Sequence, residues 1–597
     1  MNIRRFKLRF RRNVRKHKRQ VEGIGVEAER QLENNFLRRL HRLGPVRKFV
    51  TIWLLVVLLL GLGIIIQTRA LSGYYQRLQP VPGGIYSEGI LGAYTNANPV
   101  YASGGVNSAV SHLIFAGLLK YDQNNQLTGD LASDWQVDKT GEIYTVHLRP
   151  DVKWSDGQPV TASDVVFTYQ VIENPDADSP FTAGWQNVTV TSTDDRTIVF
   201  TLPNPLSSFP YSLTTGIIPK HVLGNVPMDQ MRSVAFNTTA PIGAGPFKFE
   251  SVQVDSDSSG KQQQAVELIA SQNYHWGKPK LDRIFIHAFS NEKQMIHSFK
   301  NQEINAMAGL SSVPQEMTKD NAIIKYDIPL TAATDVFFKT GSGVLADAKV
   351  RQALVSGTDT GTIIKNAGFI ATPVNEALLK NQLGYDPKYQ QLPFNPAKAM
   401  LGLDADGWAV GADGYRYNKT GQQLTFGLYT PNTDEYSRIA RELQEQWKQI
   451  GVKVDLHLQD SSDFNATLAY HSYDALLYSI SIGVDPDVFV YWDSTQADVR
   501  SPTRLNFSEY KSATADASLE AGRTRTEPAL RAIKYQPFLK DWQQDAPAVG
   551  LYQPRFLYIT HTKVFGLDSN PINNDANRFD NVQNWMINEA PQTIKSQ

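Results

Sequence analysis

The 597-residue chain contains no cysteine. That absence excludes disulfides, thiol nucleophiles and thiolate metal sites. It also excludes a lipid-modified lipoprotein, whose anchor is attached through a cysteine. Catalytic signatures are missing too: the chain has no G-x-S-x-G elbow, H-E-x-x-H pair, P-loop or G-x-G-x-x-G turn. Its eleven histidines are scattered, with none at metal-ligand spacing; His457 and His471 come nearest. No repeat of fixed period occurs. Catalysis has no positive support, and binding is left as the leading class.

Net charge is absent as well, since 59 Lys and Arg balance 59 Asp and Glu. The balance conceals an asymmetry. Residues 1–48 hold sixteen Lys and Arg against four Glu, so the rest of the chain is acidic by twelve. Directly after this arm, residues 49–66 form an uncharged apolar run of eighteen. At about 1.5 Å per helical residue it reaches ~27 Å, close to the hydrocarbon thickness of a bilayer. Six Lys and Arg lie within 29–48 and two within 67–86, which keeps the N-terminus cytoplasmic and sends the large C-terminal part outside. A cleaved signal peptide would have an apolar region of about 7–15 residues and a short basic region. Here both are longer, and only Ala70-Leu71-Ser72 resembles a cleavage site. The expectation is a basic cytoplasmic arm (1–48), an uncleaved transmembrane signal-anchor helix (49–66) and a stalk (67–83) carrying Pro80, Pro82 and Gly83. Beside a membrane, the arm reads as lipid-facing rather than nucleic-acid-binding. Residues 28–43 put Leu32, Phe36, Leu40 and Leu43 near one helical face, which fits a helix on the inner leaflet or a solvated helix packed on a partner.

From Ile85 onward strand and helix signals interleave. Residues 143–149 alternate Tyr144, Val146 and Leu148 as a half-buried strand does. Thr161 and Asp164 open a helix with the spacing of a capping box. Thr433 caps a second helix whose Ile439, Leu443, Trp447 and Ile450 share a stripe; Gly451 ends it and Val452, Val454, Leu456 and Leu458 alternate in a strand. Helix, glycine and strand in this order make an α/β unit. Residues 255–264 (DSDSSGKQQQ) read as a flexible hairpin tip.

Several segments in register resemble the family 5 solute-binding proteins of ABC importers, the group of oligopeptide, dipeptide and nickel receptors. They are AYTNANP (93–99), FAGLLKYD (115–122), DLASDW (130–135), YTVHLR (144–149), VKWSDG (152–157), TASDVVFT (161–168), PIGAGPFKF (241–249) and VRQAL (350–354). Most of them read as structural. Trp135, Trp154 and Phe167 suit core positions. The glycines of 241–249 permit a close chain crossing. Val350, Ala353 and Leu354 pack on a sheet, with Arg351 free to pair with acidic surface.

The stretch YDALLYSISIGVDPD (473–487) is similar to the family's "Y-D-x-x-x-x-G-W-x-x-D-x-x-D-P". In peptide-binding relatives the "G-W-x-x" backbone pairs with the ligand main chain as an added strand, and the following Asp holds the ligand's ammonium. Aligning Asp485-Pro486 with the closing "D-P" sets Tyr478, Ser479 and Ser481 on the strand and Ile482 where that Asp would stand. An apolar residue there gives a free peptide N-terminus no counter-charge, so acetylated peptides should be tolerated. Asp485 and Asp487 stand ready as substitutes or as a turn.

The resemblance implies an α/β, two-lobed periplasmic-binding-protein-like fold of class II. Lobe I would cover 84–330 with an inserted subdomain at about 116–235, lobe II 331–555, with a return to lobe I at 556–597. It implies a tethered receptor that closes on a peptide and delivers it to ABC permease and ATPase subunits. The same fold can carry a sugar or a nickel chelate, or serve an exported protein outside transport. No cofactor, metal or nucleic acid is implied, and the chain is expected to be a monomer. Candidate ligand contacts are Tyr94, Asn96 and Asn98 from the opening loop, and Tyr478, Ser479, Ser481, Ile482, Asp485 and Trp492 from lobe II. If the anchor is retained, alkaline carbonate should leave the chain in the membrane and external protease should spare only the N-terminal arm. A soluble form beginning near Gly73 would contradict this.

Overall fold

The structure, a computed structural model, describes residues 47–256, 262–367, 371–501 and 503–593. The arm at 1–46, with its amphipathic stretch, and most of the hairpin tip at 257–261 lie outside the described residues. The chain divides into two units, Met1–Gln79 with Glu589–Gln597, and Pro80–Asn588.

In the first unit, Arg47–Tyr75 form one helix of 29 residues. Its apolar side chains are exposed, Leu58 at 68% and Phe49 at 63%. Thr51 and Thr68 donate back to the Lys48 and Ile65 carbonyls, hiding their hydroxyls against the backbone. Among the described residues it is the one helix, over Lys48–Arg69, long and apolar enough to cross a membrane. The helix continues past residue 67, where a stalk was expected, because nothing there breaks it: the first glycine is Gly73 and the first proline Pro80. A strand, Gln76–Val81, follows.

The second unit is built on two large mixed sheets. One orders its seven strands as Ile324–Pro329, Arg555–Thr560, Ala306–Ala308, Ile85–Leu91, Arg283–Phe289, Gln262–Ala270 and Phe247–Ser256. The other has six, ordered Thr372–Pro373, Ala548–Gln553, Ala332–Phe338, Ala475–Ser481, Thr425–Pro431 and Lys453–Gln459. A four-stranded antiparallel sheet of Ala132–Val137, Ile143–Leu148, Thr197–Thr201 and Thr189–Ser192 stands with the first, beside the helix Ala162–Glu173. The chain crosses from the first large sheet to the second between Pro329 and Ala332 and returns between Gln553 and Arg555. The two passes touch: Leu330 N–H donates to the Pro554 carbonyl at 2.9 Å.

Local chemistry accounts for these elements. Tyr144, Val146 and Leu148 are buried while Thr145 and His147 are not, the alternation of a one-sided strand. The Asp164 carboxylate accepts the Thr161 N–H at 2.8 Å and so caps its helix. Thr433 Oγ1 accepts from the Tyr436 N–H, and Gly451 takes φ +83° to turn that helix into the strand Lys453–Gln459. At Gly243 a Cβ would lie 2.0 Å from the Ile114 carbonyl oxygen, so the segment 241–249 passes closer to the helix Gly105–Ile114 than any side chain permits. Trp154 and Phe167 are buried and Trp135 packs half-buried against the same core. Arg351 departs from its expected surface pairing. It is buried, and its guanidinium donates to the carbonyls of Leu345, Ala346 and Asp545, tying the helix Ala348–Ser356 to its neighbours.

The return of the chain to the first sheet rests on a buried ion pair. Glu88, on the strand Ile85–Leu91, accepts from Arg578 Nη2 at 2.5 Å and from the Tyr558 hydroxyl at 2.5 Å; Tyr558 also bonds Tyr86. The guanidinium lies over the rings of Phe579 (4.1 Å) and Phe556 (5.0 Å). Both charged side chains are essentially inaccessible to solvent. Removing one partner strands the other charge in a dry site. Arg578→Leu should therefore lower the unfolding free energy by about 3–5 kcal/mol, read by urea denaturation. A loss below about 1 kcal/mol, the size of an exposed pair, would contradict this account.

Candidate ligand-binding cleft

The strand Ala475–Ser481 sits inside the six-stranded sheet and ends at the crossing segment. The N–H groups of Ile482 and Gly483 both donate to the Thr331 carbonyl, at 3.0 and 2.9 Å. Gly483, at φ +80°, then turns the chain toward Asp485. Asp485 is held bidentately by Arg531, with Nη1 and Nη2 at 2.8 and 2.7 Å. Arg531 comes from the helix Pro528–Asp545 and is fixed further by donating to the Gly522 carbonyl at 3.0 Å. Burial by itself would lower the Arg531 pKa, but the Asp485 hydrogen bonds and charge outweigh it and hold it above its usual value.

Three tyrosines of the first lobe lie within electrostatic reach of Asp485: Tyr121, Tyr211 and the buried Tyr144, whose hydroxyl donates to the Leu206 carbonyl at 2.9 Å. Burial pushes the hydroxyls of Tyr144 and Tyr211 up to about 12, with Asp485 raising and Arg531 lowering both. Tyr121 stacks on Tyr211 with ring centres 6.3 Å apart. Its hydroxyl is raised by burial first, then by Tyr211, Asp580 and Asp485. The lobes meet directly nearby. Ser208 Oγ donates to Asp487 at 2.7 Å, Arg523 reaches the same carboxylate at 3.2 Å, and the Ser207 N–H and hydroxyl donate to the Arg523 carbonyl at 2.9 Å.

Two cavities open in the first lobe behind Tyr121, of about 240 and 390 Å³. Lys120, Tyr121, Asn577 and Asp580 line both. Their walls combine charged, amide and aromatic side chains, which suits a polar ligand with some apolar surface. Among the described residues no three His, Asp or Glu side chains converge as ligands of one metal ion.

The opening-loop candidates are committed to the protein itself. Tyr94 donates its hydroxyl to the Thr238 carbonyl at 2.8 Å and exchanges backbone bonds with the Gln264 amide. Asn96 accepts from the Asn98 N–H at 2.8 Å. Asn98, fully buried, bonds Asn237 and the Val100 N–H. In lobe II, Tyr478 packs on Phe464 and Phe507. Ser479 shares its hydroxyl with Thr334 and Tyr436, both at 2.7 Å, on the opposite face of the strand. Ser481 is exposed, and its carbonyl accepts from the Tyr491 hydroxyl at 2.6 Å. Ile482 packs into the lobe's core. Trp492 lies in that same core, not on the cleft, against Phe337 and Trp542. The structure thus brings Asp485 near the first lobe, leaves Ser481 exposed at the end of its strand opposite Ala332, and holds Tyr94, Asn98 and Trp492 inside. Sequence reasoning passed over Tyr121, which lay unremarked inside FAGLLKYD, and Tyr211, Arg531 and Asp580, which no motif marked.

Comparison with known proteins matches residues 126–501 to the bacterial extracellular solute-binding proteins, family 5. The oligopeptide-binding protein AppA of Bacillus subtilis is 26% identical over 488 residues, covering 80% of this chain and 87% of that protein. Among solved structures, the ABC transporter substrate-binding protein CtaP of Listeria monocytogenes superposes with a TM-score of 0.73 at 25% identity, covering 85% of this chain and 99% of the other. NikZ of Campylobacter jejuni in complex with Ni(L-His) gives 0.71 at 25% identity, covering 84% and 99%.

One carboxyl beneath the seam has a pH signature. Asp335, on the strand Ala332–Phe338, pairs in register with Tyr478 and Gly550, and burial raises it to about 8. An acid with a raised pKa holds more protons folded than unfolded, so its contribution to stability falls as pH rises from about 4 to about 8. Asp335→Asn removes that loss. Its melting temperature relative to the unmodified protein should be more favourable at about pH 8 than at about pH 5. The opposite trend would mean the carboxyl is charged in the fold.

Proposed function

We propose, from the premise that this chain belongs to the family 5 bacterial extracellular solute-binding proteins, that it captures peptides between its lobes at the membrane surface and passes them to an ABC permease. The observation that carries the reading is the paired crossing at 329–332 and 553–555. Two side-by-side strands joining two sheets can bend together, while the seam formed by Ser207, Ser208, Arg523 and Asp487 opens and closes. A ligand that touches both walls favours the closed form only through contacts unavailable in the open one.

The walls assigned to the ligand are Tyr121 and Tyr211 of the first lobe, and Ser481 and the Asp485–Arg531 pair of the second. Tyr94, Asn96 and Asn98 shape the opening loop, and Ile482 and Trp492 support the strand from below. The similarity to an oligopeptide-binding protein along most of both chains supports peptides as the solute. A nickel chelate is the second reading, supported by the likeness to NikZ with Ni(L-His). The exposed apolar helix over Lys48–Arg69 serves as the tether, with the binding unit outside the cell.

Closure is the test. A saturating peptide should reduce the radius of gyration in small-angle scattering and raise the melting temperature, by the equivalent of about 2.7 kcal/mol at a hundredfold excess over Kd. Ser208→Ala combined with Arg523→Ala should expand the ligand-free particle and weaken binding. An unchanged scattering profile with saturating ligand would mean a rigid scaffold, and nickel–histidine alone producing the compaction would move the assignment to the chelate.

A further inference from the structure

The two cavities behind Tyr121 share a carboxylate, Asp580, that pairs with no Lys or Arg among the described residues. Asp580 Oδ1 lies 2.7 Å from His112 Nε2, on the helix Gly105–Ile114, and Oδ2 accepts from the Asn577 amide at 3.0 Å. The other carboxylates around these cavities are occupied differently. Asp130 accepts from His275 and Trp276 and has Lys120 at 3.9 Å; Asp122 caps the N–H groups of Asn124 and Gln126; Asp568 accepts from Asn581. Across the seam, Asp485 is neutralised by Arg531. Among the described ion pairs Asp580 has no Lys or Arg partner. Its side chain is 13% exposed, and it lines both cavities.

A ligand entering this space would cover what remains exposed of Asp580. A neutral or anionic group would leave Asp580 desolvated and uncompensated, whereas a cation would pair with it in a site of low polarity. Tyr121 lines both cavities beside Asp580 and stacks on Tyr211 with ring centres 6.3 Å apart, and Asp580 and Asp485 both act on its hydroxyl. We propose that Asp580, contributed by the return of the chain to the first lobe, is the specificity residue that anchors a cationic group of the ligand, an ammonium or a guanidinium. The inference rests on the peptide reading above. It places the counter-charge in the first lobe, whereas the resemblance looked for it near Ile482 in the second.

The test uses the full-length chain in detergent and a mixed-sequence library of tri- to nonapeptides, offered with free and with acetylated N-termini, with captured peptides quantified by mass spectrometry. Free amines should be enriched over acetylated, lysine-free and arginine-free peptides by about tenfold or more, the size of one charge-assisted bond. Acetylated peptides carrying one Lys or Arg should recover part of the enrichment if a side-chain cation reaches the site, and none if only the N-terminus does; either result names the source of the cation. Asp580→Asn should reduce the preference to about twofold or less. Asp580→Glu should keep it, and His112→Gln, which retains a neutral donor, should show a preference at least as large as the unmodified protein. Melting curves of each variant separate a lost preference from a lost fold. Equal capture of free and acetylated peptides, or an undiminished preference in Asp580→Asn, overturns the inference while leaving peptide binding intact. Capture of neither library overturns the peptide reading and the inference with it.

Discussion

Everything in the binding unit hangs on the double crossing between its two sheets. The outgoing pass at 329–332 and the returning pass at 553–555 are bonded to each other, and Thr331 in the first also holds the end of the strand Ala475–Ser481 through two N–H groups. A single pass would let the lobes swivel. Two passes in contact restrict that swivel. The crossing is tied to the candidate site through Thr331, whose carbonyl accepts from Ile482 and Gly483 just before Asp485.

Such a topology makes the last fifty residues indispensable to a lobe begun some five hundred residues earlier. The Glu88–Arg578 pair is how that debt is met: a charge from the first strand and a charge from the return, buried together under Phe556, Tyr558 and Phe579. A buried pair is a costly way to gain stability, but it is intolerant of any other register. Once Arg578 is placed, Asn577 and Asp580 follow within one turn and a half, and the loop they belong to becomes the wall of the cavities. Structural closure of the lobe and construction of the cavity wall are consequences of one interaction.

The second lobe solves a related problem with Asp485. An aspartate four residues past an interior strand reads as a turn residue, and Arg531 as one more charge on a helix. Their bidentate contact binds the end of the strand segment to the helix Pro528–Asp545, while Asp487, two residues on, is held by Arg523 of its own lobe and accepts from Ser208 across the seam. Adjacent carboxylates therefore do different work: one stiffens a lobe and the next joins two. Ile482, just before them, contributes its side chain to the core and its N–H to Thr331, so its apolar character is explained by packing before any ligand is considered.

Local order was legible in the residues. The alternation of Tyr144, Val146 and Leu148, the capping pair Thr161 and Asp164, the Thr433 cap and the Gly451 stop are contacts within a few positions, and the bonds that make them are written in adjacent side chains. The apolar run at 49–66 announced its helix for the same reason, although where that helix ends was misjudged, since prolines at 80 and 82 weigh nothing on a turn that closes at Tyr75. The α/β class and the family followed from many such fragments in register. The site did not. Tyr121 with Tyr211, Asp485 with Arg531, and Asp580 with His112 are separated by 90, 46 and 468 positions, and a pairing at that range leaves no periodicity or spacing to read. Nor does a sequence distinguish an asparagine facing a ligand from one, like Asn98, whose amide is consumed by its own loop. By itself the sequence determined which segments are helix or strand and where the apolar anchor lies, because those depend on neighbours along the chain. Which polar groups remain free to meet a solute was decided only in the tertiary structure, because that depends on what the fold has already used.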